Sequence, residues 1–261
     1  MKNLTIIVPL VQYVEEKHSS LYDKSINSIV KADPNEDVNV IFIGPSSALD
    51  VVREYDLGKR DVLYIENAKN TEVQFQINKA VKDVTTEYFS VLEYDDNYTP
   101  NWFNNFEKYR LAYDDVSLFL PLMEVYDYKR PELGAVGYAN EPVWASAFSD
   151  EIGFIDSECL KHYFNFFVSG GIFRKTDFIN VGGIKNNIKV FFWYELLMRM
   201  CHLGKRIFVI PKVGYEHYVN VENSLSSTFG SMPNEEIDFW FKTSQEEYMY
   251  KTDRKVSYTT E

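Results

Sequence analysis

Residues 87–103 constrain this chain more than any other stretch. They begin as an apolar run, Tyr88-Phe89-Ser90-Val91-Leu92, and stop at a dense acidic turn, Glu93-Tyr94-Asp95-Asp96. They restart at Pro100 with Trp102, Phe103 and Phe106 at helical spacing. A short run of bulky apolar residues bounded by turn signals reads as a buried strand. Three carboxylates at the end of such a strand repel one another unless a cation or a binding partner sits there. That arrangement is expected of a divalent metal that holds a phosphate-bearing ligand. The bland alternative is a helix-capping turn, since Asp95, Asp96 and Asn97 stand just before Pro100.

The segments around this stretch set the fold class. Residues 4–10 form a β-branched apolar run ended by Pro9. Ser19 or Ser20 then caps a helix with Leu21, Ile26, Ile29 and Val30 on one stripe. Residues 38–43 and 61–65 read as strands, 50–55 as a short helix, and 71–84 as a helix with Ile77, Ala80 and Val81 on one side. The order β-α-β-α-β-α-β with short connections predicts a mostly parallel, Rossmann-like sheet flanked by helices, with ligands at the carboxyl ends of the strands. The acidic turn lies at such an end. Residues 116–123 form a further strand, and 126–154 an irregular stretch of the kind used for binding loops. Gly170-Gly171 permits a close backbone approach. Residues 176–181 and 191–202 are helical, 206–210 is a strand stopped by Pro211, and 235–250 is an amphipathic helix before a polar tail.

Composition narrows the function classes. The 261 residues carry a formal charge of −12, which makes nucleic acid an open but unfavoured partner. No apolar run reaches the roughly 18 residues of a membrane span. The two cysteines form no disulfide framework or zinc site, and a reducing cytoplasm is the expected compartment. The 19 Tyr and 19 Phe serve large cores first and stacking surfaces second.

Several separate stretches line up with one family. The chain resembles, over roughly residues 3–227, the family-two glycosyltransferases, nucleotide-sugar-dependent enzymes of the GT-A fold. The resemblance rests on Ile6-Ile7-Val8-Pro9, on Gln76-Ile77-Asn78 and on Thr86-Glu87-Tyr88. It continues through the acidic turn, Pro100-Asn101-Trp102, Ser169-Gly170-Gly171 and Arg174-Lys175-Thr176-Asp177-Phe178. Val181-Gly182-Gly183-Ile184, Leu196-Leu197-Met198-Arg199 and Tyr215-Glu216-His217 complete it. It implies a GT-A domain over 1–227, with a nucleotide-sugar half at about 1–100 and an acceptor half at about 101–227, then a C-terminal helix and tail over 228–261. It implies Mn2+ or Mg2+ acting as a Lewis acid on the leaving diphosphate. Asp95 is then the first metal ligand and His217 the second, with Glu93 near the ribose or the metal. Asp96 is a ligand, a supporting group or a helix cap. Pro9, Ser46 and Asn78 join the donor site, and Arg174 contacts the diphosphate or the acceptor. Trp144, Gly170, Gly171 and Trp193 face the acceptor.

Three departures from the family pattern stand out. The second strand ends at Gly44-Pro45-Ser46-Ser47, without the carboxylate that usually contacts the nucleobase. Ile77 replaces an Arg before Asn78. Phe192-Trp193 falls where inverting members carry a Glu-Asp pair whose Asp is the general base. Glu195 is the nearest acid and the candidate base, but two residues turn a helical side chain by about 200°. In an unshifted helix it pairs with Arg199 instead. Asp156, Glu216 or a retaining reaction are the alternatives.

The resulting expectation is metal-dependent transfer of a sugar from a nucleotide-diphosphate donor, UDP by default, to a hydroxyl of a saccharide or glycoconjugate. A hydroxymethylated base of bacteriophage DNA ranks lower as acceptor. A non-catalytic sugar- or partner-binding module is the competing reading, and a nucleotidyltransferase ranks below it, because no Gly-rich basic loop follows the first strand. The C-terminal helix is expected to cover the site or to pair with a second subunit.

Overall fold

The computed structural model describes residues 3–256 apart from 12, 68–71, 142–151, 164–165, 223, 225–226 and 228–229. Its centre is one mixed sheet in the order β3-β2-β1-β4-β9-β6-β10-β5, with β7 added on β6 and β8 on β10. The strands are β1 (Leu4–Pro9), β2 (Asn39–Gly44), β3 (Val62–Glu66), β4 (Tyr88–Val91) and β5 (Asn97–Tyr98). They continue as β6 (Val116–Asp127), β7 (Ala135–Ala139), β8 (Phe154–Ile155), β9 (Ile172–Arg174) and β10 (Arg206–Val219).

Every residue of β1 is buried, because helices cover both faces of the sheet. Its side chains alternate as the pleat requires. Leu4, Ile6 and Val8 enter the core under α1 (Glu15–Ala32) and α4 (Trp102–Ala112), beside Tyr22, Ile29 and Phe106. Ile7 enters the opposite core under α3 (Val73–Ala80) and α7 (Phe192–His202), beside Ile77, Leu196 and Leu197. The shorter helices are α2 (Ser46–Val52), α5 (Ser157–His162) and α6 (Lys175–Asn180).

The amino-terminal half is parallel, β3-β2-β1-β4, as the repeating pattern predicts. Beyond β4 the sheet changes sense. β9 runs antiparallel to both β4 and β6. β10 lies parallel to β6 and antiparallel to the two-residue β5.

Four local expectations are corrected. α1 begins at Glu15, so Ser19 and Ser20 lie inside it, and the Val14 N–H at its start donates to His18 Nδ1 at 2.9 Å. The second helix starts at Ser46 rather than 50, directly after Pro45. The stretch 126–139 is a hairpin, β6 with β7, rather than irregular loop. Pro211 does not end its strand: the register slips between Ile210 and Val213, and such a bulge accommodates a residue without an N–H. β10 therefore carries His217 within a strand.

α8 (Asn234–Val256) packs on α7. Phe241 meets the rings of Phe191 and Tyr194 at 5.2 and 5.4 Å, and Gln245 Nε2 donates to Tyr194 Oη at 2.9 Å. No described helix is long and apolar enough to cross a membrane.

Trp102 locks the turn of the chain that carries the site. It is fully buried, its Nε1 donates to the Gly170 carbonyl at 2.9 Å, and its ring fills the space above Gly214, where a Cβ would collide with it. Trp102→Ala is expected to lower unfolding free energy by about 3–5 kcal/mol in a denaturant titration. A loss below about 1 kcal/mol contradicts this packing role.

Candidate functional site

The acidic turn leaves β4 at the carboxyl end of the parallel sheet and is held from two sides. From α1, Ser25 Oγ donates to the Glu93 carbonyl at 3.2 Å, and Ser28 Oγ accepts from Tyr98 N at 3.1 Å. From β10, Tyr215 Oη accepts from Glu93 N at 3.2 Å. Tyr215 and His217 are two apart on the strand and share a face. His217 Nδ1 lies 2.9 Å from Asp96 Oδ2, while Asp96 Oδ1 accepts from Tyr218 N at 2.8 Å. Asp96, fully buried, thus ties the turn to β10 and is no helix cap.

Carboxylate oxygens of Glu93, Asp95 and Asp96 lie within 4.8 Å of one another. Burial pushes the Asp95 carboxyl well above the usual range, and the charges of Asp96 and Glu93 push it further. Burial and Asp96 raise Glu93 as well, against the bond it accepts from Ser169 Oγ at 2.6 Å. Burial opposes a charge on His217, but Asp96 beside it prevails and holds the imidazole up to about 9. Asp95 is buried and makes no hydrogen bond or ion pair to another described residue. An all-oxygen set with crowded carboxylates and one of them unengaged among the described residues fits a hard divalent cation.

Two cavities meet at this turn, and Glu93, Asp95, Val190 and Ser224 line both. The first, about 310 Å3, lies at the carboxyl end of β1. Pro9, Leu10, Gln76 and Tyr94 form part of its wall, with Lys189 exposed at its rim. Gln76 fixes the chain there: its Nε2 donates to the Leu10 carbonyl at 3.0 Å and its Oε1 accepts from Leu10 N at 3.2 Å. The second cavity, about 440 Å3, is walled by aromatic rings, among them Phe192 and Trp193.

The other expected site residues fall into two groups. Pro9 and Trp193 line cavities. Ser46, Asn78, Arg174, Glu195, Gly170 and Gly171 line neither. Ser46 is exposed at the start of α2. Arg174 is paired in register with Tyr88, at the amino end of β4 and away from the acidic turn, because β9 is antiparallel. There it binds Glu87 at 2.6 Å and stacks over the Tyr88 ring. Gly170 turns back under the Tyr215 ring with φ +71°, so the backbone approach it permits is to the protein itself. Trp144 lies outside the described residues.

Asn78 and Glu195 belong to one network around the 181–184 turn instead. Asn78 Nδ2 donates to the Ile184 carbonyl at 2.7 Å and Oδ1 accepts from Ile184 N at 2.9 Å. Glu195 pairs with Arg199 at 2.8 Å and with Lys185 at 3.0 Å, one helical turn away in the first case. Arg199 in turn donates to the carbonyls of Val181 and Gly183. The network therefore shapes the 181–184 turn. Asp156 caps α5 by accepting from Cys159 N at 2.7 Å, and Glu216 is held by Asn97 and Tyr218 at 3.0 and 3.2 Å.

Sequence reasoning missed Gln76, Ser169, Tyr215 and Lys189 as members of the site. Gln76, Ser169 and Tyr215 stand in the quoted motif stretches, beside Asn78, Gly170 and His217, and that position was their only signal; Lys189 depends on how the 189–190 loop comes round.

The profile of Glycosyl transferase family 2 matches residues 5–132. Solved structures with the same fold include S. aureus TarS 1-349 in complex with UDP, at TM-score 0.63 and 15% identity, covering 87% of this chain and 68% of that one. The same TarS piece in complex with UDP-GlcNAc matches at TM-score 0.64 and 17% identity, over 86% and 60%. A mannosyltransferase from Pyrobaculum calidifontis in complex with GDP-Man and Mn2+ matches at TM-score 0.60 and 14% identity, over 85% and 58%. The chain thus spans about two thirds or less of the solved proteins it matches. No curated protein matches its sequence.

Glu195→Ala leaves Arg199 buried without its carboxylate. It is expected to cost about 3–5 kcal/mol of stability in chemical unfolding. Unchanged stability together with lost turnover contradicts the structural role and returns Glu195 to candidacy as a base.

Proposed function

We propose that this chain, whose residues 5–132 match Glycosyl transferase family 2 and whose fold is that of the GT-A glycosyltransferases, moves one sugar from a nucleoside-diphosphate donor to an acceptor hydroxyl. The donor occupies the cavity over Pro9, Leu10 and Gln76, and the acceptor enters from the aromatic cavity. The observation that carries this reading is the shared wall: Glu93 and Asp95 line both cavities, and Asp95 makes no hydrogen bond or ion pair among the described residues.

A divalent cation, Mn2+ or Mg2+, held by Asp95 with Glu93 or Asp96, would neutralise charge on the departing diphosphate. His217 is the further candidate ligand; Asp96 orients its ring through Nδ1, the support usually given to a metal-binding imidazole. Tyr215 fixes the backbone of Glu93, and Ser169 fixes its carboxylate. Lys189, exposed at the rim of the donor cavity, is placed to meet a phosphate. A uridine diphosphate sugar is the first donor to try, since TarS is solved with UDP and UDP-GlcNAc and the mannosyltransferase with GDP-Man.

A binding module without turnover is the second reading. It is favoured by Phe192-Trp193, which put rings rather than acids on the acceptor wall. Release of UDP from UDP-sugar in the presence of an acceptor separates the two.

Asp95→Ala removes a ligand and also one of the three crowded carboxylates. Thermal unfolding with UDP and Mn2+ is expected to rise by several degrees in the wild type and to lose most of that increment in the variant, whose melting without ligand stays equal or climbs. An undiminished Mn2+-dependent shift in Asp95→Ala contradicts the metal assignment.

A further inference from the structure

The aromatic cavity says what kind of acceptor the site takes, an inference that rests on the transferase reading above. Its wall is built from Phe166, Phe167, Phe191, Phe192, Trp193 and Phe241, contributed by the segment before β9, by the start of α7 and by α8. Its volume, about 440 Å3, lies in the range that holds a small organic molecule. Several of the polar side chains on its described wall are engaged within the protein. Ser169 donates to Glu93, His217 is held by Asp96, and Tyr194 Oη donates to the Leu160 carbonyl.

This distribution discriminates between acceptor classes. A saccharide carries a hydroxyl on nearly every carbon, and each hydroxyl buried against the rings without a partner is penalised. A phosphate-bearing lipid would bring its charge beside Glu93 and Asp95. Among the described residues no Lys or Arg lines this cavity, in contrast to the donor cavity with Lys189. A flat apolar body meets ring faces along its length and needs polar contact only at its reactive end. The rings are arranged for that. Phe167 stacks on His217 at 5.9 Å and 27°, and Trp193 is backed by Phe173 at 6.3 Å and 25°.

We propose that the acceptor is a neutral molecule with a flat, apolar ring system carrying one hydroxyl, seated among Phe167, Phe192 and Trp193 with that hydroxyl toward Asp95. Phe192-Trp193, which take the place of an acidic pair, are then specificity-determining residues of the acceptor side.

The test is equilibrium binding of 2-naphthylmethanol, of the same ring carried on a short neutral peptide, and of methyl glucoside, each to the full chain saturated with UDP and Mn2+. One or both ring probes are expected to bind at least tenfold more tightly than the glucoside, and the pair identifies whether the ring is free or presented on a chain. Trp193→Ala is expected to weaken the ring probe at least tenfold. Phe167→Ala, at a residue 40% exposed and so dispensable for folding, is expected to weaken it several-fold and serves where Trp193→Ala does not fold. UDP binding is read on the same samples. Equal or tighter binding of the glucoside, or ring binding indifferent to both substitutions, overturns the inference. Loss of UDP binding in the wild type instead overturns the transferase reading.

Discussion

The structure turns on a repulsion held in place. Glu93, Asp95 and Asp96 leave a buried strand within a few ångströms of each other, and desolvation makes their charges costlier than in water. The chain keeps them there by fastening one to a distant strand. Asp96 takes His217 Nδ1 and Tyr218 N, so β10 supplies both an imidazole and a backbone donor. Tyr215 holds the backbone of the turn from the same strand. What remains unanswered is Asp95, and the rest of the fold converges on it: β1 and α3 from one side, α7 and α8 from the other.

Those two sides differ in character. Toward β1 the wall mixes backbone, amides and a lysine, suited to a charged and hydrogen-bonding donor. Toward α7 it is rich in aromatic rings. The difference follows from how each wall is built. The donor side is made of strand ends and a helix start, where backbone polar groups surface. The aromatic side is made of the apolar face of α7 closed by Phe241 of α8. The network of Asn78, Glu195 and Arg199 lies behind this wall and fixes the 181–184 turn without entering either cavity.

The sequence made the first half of the fold legible because alternation in β1 and the stripe on α1 encode burial locally. The acidic turn was legible for the same reason: three acids after an apolar run are anomalous without reference to anything distant. His217 was reached only through a family resemblance, since its contact with Asp96 spans 121 residues. Arg174, Ser46 and Asn78 were placed near the donor on motif position alone. Motif position does not say that β9 is antiparallel, and that sense puts Arg174 at the wrong end of β4. Nor does it say that the Asn78 amide is spent on Ile184 while Gln76, two residues earlier, faces the cavity. Glu195 is the sequence's candidate base, with pairing to Arg199 as the alternative in an unshifted helix, and the structure shows that buried ion pair. Pro211 misled because a proline ends most strands, and only the register slip beside it lets β10 continue to His217.

The central claim is that Asp95 is the point where donor, cation and acceptor meet. A crystal grown with UDP and Mn2+, with anomalous data collected at the manganese edge, tests it most directly. The account predicts one anomalous peak in contact with the Asp95 carboxylate and the nucleotide diphosphate, with the uridine over Pro9 and Gln76. A nucleotide bound there without a manganese peak, or a peak away from residues 93–96, contradicts it.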